Sequence, residues 1–156
     1  MESLICGTKI HYEMAGSGER RVVLLHGWGC EIKLMKPVMD ALSQTMTVLA
    51  IDFPGFGASG KPPEPWGVPE YAVAVTALLR ELNFFPCSVV AHSFGGRVVI
   101  QMASSDVTLF ERIVLTGAAG IRKPQTEESK KRSEEYRKKK EMIQRAGKLK
   151  LFGKLA

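Results

Sequence analysis

The segment Ala91-His92-Ser93-Phe94-Gly95-Gly96 holds the sequence's best candidate for covalent chemistry. It lies between an apolar, β-branched run (Ser88–Ala91) and a stretch with helical character. A serine at such a strand-to-helix junction stands on a sharp turn with its hydroxyl exposed at the sheet's edge. The turn is strained, so the residues two before and two after it must be small, as Ala91 and Gly95 are. A helix starting after Ser93 points unpaired N–H groups at the hydroxyl, which favours developing negative charge there. The N–H of Phe94 would be one donor to an oxyanion. His26-Gly27-Trp28-Gly29, closing an earlier apolar run, offers the N–H of Trp28 as a second, and its glycines Gly27 and Gly29 allow close approach to a substrate.

These residues need a scaffold that holds strand ends side by side. Arg21–Leu25, Thr47–Ile51, Ser88–Ala91 and Ile113–Thr116 are short segments, each with an unbroken apolar run of at least three residues, the signature of buried parallel strands. Leu4–Ile5 and Lys9–Met14 read as two earlier strands. Between the runs, the sequence predicts helices over Pro37–Thr45, with Pro37 in the first turn, over Glu70–Asn83 and over Phe94–Ser104. In the second, Val75, Leu78, Leu79 and Leu82 share one face of a 3.6-residue period. Strand and helix in alternation imply an α/β fold: a mostly parallel sheet with helices on both faces. Ligands in such sheets bind beyond the carboxyl ends of the strands. Here those ends are His26–Gly29, Asp52–Gly57, Ala91–Gly96 and Gly117–Gly120.

With these segments in place, the chain resembles the α/β-hydrolase-fold family, of the serine-nucleophile, esterase-like kind. Val22–Gly29 (VVLLHGWG), Val48–Gly60 (VLAIDFPGFGASG) and Val89–Val99 (VVAHSFGGRVV) carry the resemblance, which extends over about residues 4–120. It implies that Ser93 is the nucleophile, that the Trp28 and Phe94 amides form the oxyanion hole, and that His26, Gly27, Gly29 and Gly95 support the loops. It implies a small-molecule ester or acyl substrate and no metal or organic cofactor. Ala91 departs from the family, which usually has Gly there.

A serine nucleophile needs a general base and an orienting carboxylate, and in this family both follow it in the chain. The sequence has three histidines, His11, His26 and His92, and none follows Ser93. His26 belongs to the oxyanion loop, the side chain of His92 should leave the turn in another direction, and His11 should be distant. Asp52 precedes the serine and suits loop bracing better than a triad; Asp106 should lie on the surface. The family's sheet has about eight strands, and such domains run to roughly 200–250 residues. Six strands are legible here. The chain therefore reads as the N-terminal part of a longer hydrolase, inactive alone. Its last strand, Ile113–Thr116, would be an apolar edge prone to self-association. A non-catalytic hydrolase-fold binding protein and a basic surface-binding protein are the alternatives.

The last alternative comes from charge. The formal net charge is +6 over 156 residues. Residues 1–120 hold 9 Lys+Arg and 11 Asp+Glu, whereas residues 121–156 hold 13 and 5. The break suggests a hydrolase core over 1–120 and a basic helical segment, the start of a cap, over 121–156. Thr126–Gly147 has a cap residue and acid-then-base pairs at i, i+4, such as Glu127–Lys131 and Glu134–Lys138. Five acids interrupt the basic run and no groove-reading motif accompanies it, so a solvated helix is expected rather than a nucleic-acid or membrane surface. No run approaches the ~18–20 apolar residues of a membrane span, and Met1–Lys9 lacks a signal-peptide pattern. Three scattered cysteines, Cys6, Cys30 and Cys87, argue against a disulfide framework or zinc site. These features point to the cytoplasm.

Overall fold

The computed structural model describes residues 1–118 and Lys131. The expected helix over Thr126–Gly147 and the proposed cap lie outside the described residues, Lys131 apart. The elements run β1 (Glu2–Ile5), β2 (Thr8–Ala15), β3 (Arg21–Leu25), α1 (Ile32–Leu42), β4 (Thr47–Ile51), α2 (Val68–Glu81), β5 (Cys87–His92), α3 (Phe94–Ser105), a 3₁₀ turn (Val107–Leu109) and β6 (Phe110–Thr116).

The six strands form one sheet in the order β1-β2-β4-β3-β5-β6. β1 and β2 form an antiparallel hairpin and β2 pairs antiparallel with β4; the β4–β3, β3–β5 and β5–β6 pairings are parallel. The apolar runs of β3 and β4 are continuous because both faces are covered, and their side chains alternate between two cores. Val22, Leu24, Val48 and Ala50 pack with Ile32, Met35 and Met39 of α1. Val23, Leu25, Leu49 and Ile51 face the opposite side, with Val75, Leu78 and Leu79 of α2 and Val98, Val99 and Met102 of α3. The predicted apolar stripe of α2 is thus its buried face, apart from Leu82, which caps the helix and is only partly buried.

α1 differs from expectation. It begins at Ile32, five residues before Pro37, and contains that proline. Its cap is not local: Glu31 makes no side-chain capping bond, and the Ile32 N–H instead donates to Asp52 Oδ1 at 2.7 Å. Pro37 removes a bond that would have run to Lys33, and both residues are exposed, where water supplies the missing partner.

The strand order places the site. From β3 the chain crosses through α1 to β4 on one side, then through α2 to β5 on the other. The crossovers part between β3 and β5, so a crevice opens at the carboxyl ends of those two strands. The residues that follow them are His26 and Ser93. β6 is the sheet's edge among the described residues, and Ile113, Val114 and Leu115 on it are exposed.

Candidate active site

Ser93 sits at φ 48° and ψ −106°, left-handed backbone that a residue with a Cβ adopts only at a cost. Two bonds hold it there. Its own N–H donates to Thr116 O at 3.0 Å, and the N–H of Gly95 donates to His26 O at 3.1 Å. The second bond joins the first turn of α3 to the end of β3. Ser93 is half-buried, and its Oγ makes no hydrogen bond among the described residues. Gly should relieve the strain where Ala does not. We therefore expect S93G to be more stable than S93A by about 1 kcal/mol, the reverse of the usual Gly–Ala order. Equal urea midpoints for the two variants would show that the elbow stores no strain.

The His26–Gly29 loop lies directly against this turn. A Cβ built on Gly27 would stand 3.4 Å from Ser93 Cβ and 3.2 Å from the His92 ring, so Gly27 admits the contact. Gly29 has φ 73° and open space around it, which makes it a conformational glycine rather than a steric one. The N–H groups of Trp28 and Phe94 donate to no carbonyl or side chain among the described residues. The predicted site residues Ser93, Trp28, Phe94, His26, Gly27, Gly29 and Gly95 are therefore brought together.

Each histidine is already engaged. His26 is fully buried: Nδ1–H donates to Gly27 O at 2.7 Å, and Nε2 accepts the Phe53 N–H at 3.0 Å. Those partners fix a neutral tautomer, and a second ring proton would face another donor. Burial is the main force lowering its pKa; the Gly27 carbonyl and the Asp52 and Glu31 charges oppose it more weakly. The unfolded chain therefore takes up this proton first. The contribution of His26 is intact above the ordinary histidine pKa and declines as pH falls through and below it, by up to about 1.4 kcal/mol per pH unit. Denaturant midpoints between about pH 7 and pH 5 should show this slope. The slope should be shallower in H26Q, and an identical slope there would refute the assignment.

His92 turns away from the serine, as expected: its Nδ1 lies 3.0 Å from Thr116 O on β6. His11 is three strands from β5, roughly 14 Å by sheet spacing. Its Nδ1–H donates to Asp52 Oδ2 at 3.0 Å, a partnership that no sequence pattern announces. Asp52 is the brace foreseen for it and more. It caps α1, takes the Ala58 N–H at 2.9 Å, and so shapes the loop after β4. Asp106 lies at the surface, partly exposed, and caps the 3₁₀ turn through Thr108, whose bonds hold its carboxyl below the usual range. All three cysteines are free. Cys87 is buried, which pushes its thiol up to about 12 and keeps it protonated. Among the described residues no cluster of His, Cys, Asp or Glu could hold a metal ion, and no helix is long and apolar enough to cross a membrane.

Residues 22–145 match the alpha/beta hydrolase family. The chain belongs to that family. A soluble epoxide hydrolase from Corynebacterium sp. is 34% identical over 114 residues, which cover 73% of this chain and 40% of the enzyme. An uncharacterized protein of Mycobacterium tuberculosis is 35% identical over 117 residues, 75% of this chain and 34% of its own. Among solved structures, the meta-cleavage product hydrolase from Pseudomonas fluorescens IP01 superposes with a TM-score of 0.74 at 28% identity, over 81% of this chain and 48% of that one. The chain thus spans between a third and a half of the length of these relatives. Its six-stranded mixed sheet, with helices on both faces, is part of the α/β-hydrolase fold.

One structural group at this place has no local sequence signal. Trp28, Phe53, Phe56, Trp66, Tyr71 and Phe94 come from four different segments and pack edge to face into one aromatic cluster beside the elbow.

Proposed function

We propose that this α/β-hydrolase chain carries the nucleophile and oxyanion hole of a serine hydrolase that cleaves an ester or related acyl bond of a small molecule. The observation that supports this most is Ser93 itself. It occupies a strained left-handed turn at the carboxyl end of β5, its Oγ unengaged, with the Phe94 N–H beside it and the Trp28 N–H on the facing loop both without a partner among the described residues. In the complete enzyme a general base takes the Oγ proton as Oγ attacks the substrate carbonyl. The carbonyl oxygen becomes an oxyanion and takes the N–H bonds of Trp28 and Phe94. Collapse expels the alcohol, which leaves with that proton, and water then hydrolyses the acyl-serine.

The base and its orienting acid lie outside this sequence, since all three of its histidines are committed elsewhere. On this reading residues 1–120 are the N-terminal part of the hydrolase core, 121–156 open a cap, and the 156-residue chain alone does not turn over. The exposed apolar edge of β6 would then drive self-association, and three free thiols suit the cytoplasm.

A fluorophosphonate serine probe tests the reading, read by intact mass and by peptide mapping of the natively produced protein. We expect one label, on the peptide containing Ser93, and none in S93A. The 156-residue chain should label at least about a hundredfold more slowly, because an unassisted serine loses the general-base contribution. A full-length protein that stays unlabelled would favour the non-catalytic, ligand-binding alternative.

A further inference from the structure

The indole of Trp28 is 61% exposed, whereas the rings beneath it, Phe53, Tyr71 and Phe94, are all at most 8% exposed. It is not a loose surface side chain. Phe56, Phe94 and Tyr71 meet it at centroid distances of 4.8, 5.0 and 6.3 Å and interplanar angles of 71–79°. Tyr71 is anchored in turn by its hydroxyl, which donates to Pro54 O at 3.1 Å. Three aromatic contacts thus hold a large apolar ring in place and leave most of it facing outward. The ring also sits one residue from Gly27, which touches the Ser93 turn. No cation covers it: among the described residues the one cation over a ring is Arg21 above Phe84. An exposed, preorganised aromatic beside a reactive centre has already paid the ordering cost of binding a ring.

We infer that Trp28 is a specificity-determining residue, and that its exposed indole receives an aromatic group carried by the substrate close to the reacting carbon. The catalytic use of this contact rests on Ser93 being the nucleophile; the contact itself does not. An aromatic group is chosen over a merely apolar one because every ring already on Trp28 adopts the edge-to-face geometry. An aromatic partner in that geometry gains more than its buried area supplies.

The test is a titration of the ¹⁵N-labelled chain with phenylacetate and, separately, with cyclohexylacetate, followed at the indole N–H signals of its two tryptophans, Trp28 and Trp66. Phenylacetate should move the Trp28 signal saturably and bind about fivefold more tightly than the saturated analogue. The readout is binding and needs no turnover, so failure of the nucleophile reading would leave this result standing. In W28F and W28L, which lack that indole, the same titrations are followed at the backbone amide signals of Gly27 and Gly29; W28F should keep the preference and W28L should lose it, with a dispersed amide spectrum as evidence of folding. Equal affinities for the two carboxylates, a shift confined to Trp66, or no saturable shift would each overturn the inference.

Discussion

Replacing Asp52 with alanine should destabilise the chain by about 3 kcal/mol, a loss at the upper end of what single substitutions produce. The carboxylate is 3% exposed and holds three donors from three segments: the Ile32 N–H, the Ala58 N–H and the His11 ring. Alanine leaves the first turn of α1 without its cap and leaves the Ala58 N–H unpaired. Each lost partner costs about 1–3 kcal/mol where water cannot enter. Gly57 gives the carboxylate its room, since a Cβ there would stand 2.2 Å from it. D52N keeps one acceptor oxygen and should lose about half as much. Urea unfolding gives the totals, and amide exchange at Ile32 and Ala58 should accelerate first. A D52A variant within about 1 kcal/mol of the parent would mean that the loop and α1 hold themselves.

Gly95→Ala is expected to cost about 2–4 kcal/mol, more than a glycine-to-alanine change in a helix's first turn ever should. Alanine ordinarily favours a helix over glycine by about 1 kcal/mol, so the sign alone is diagnostic. A Cβ at Gly95 would meet Leu25 O at 2.6 Å and His26 O at 2.9 Å, both backbone atoms that no rotamer change moves. The helix would have to part from β3 and stretch the Gly95–His26 bond that closes the elbow. Gly29→Ala is the control: nothing lies within 4 Å, and its φ of 73° predicts a strain cost of only about 1 kcal/mol. Comparable losses at the two glycines would mean that close approach does not set the elbow. On the proposed mechanism, G95A should also slow probe labelling of the full-length protein, because it separates the Trp28 amide from Ser93.

Much of this could be read in the sequence because the physics is local. Positions buried on both faces of a sheet have to be apolar, so the runs Val22–Leu25 and Val48–Ile51 mark β3 and β4, whose bounds, Arg21–Leu25 and Thr47–Ile51, match those expected. A strained turn tolerates few neighbours, so Ser93 is marked by the small residues around it, and α2 announces its buried face by its period. The histidine count needs no structure at all. Tertiary structure decided whatever depends on partners far along the chain. The cap of α1 is twenty residues downstream, on Asp52, so no local signal could place Ile32 as the start or make Pro37 an interior residue. The neutral tautomer of His26 requires Phe53, and His11 finds Asp52 across forty-one positions. The aromatic bed under Trp28 and the β3–β5 crevice beside it exist only once the strands are ordered. Hydrogen bonds and ring contacts between distant segments leave no period or spacing in a sequence, and folding alone makes neighbours of them.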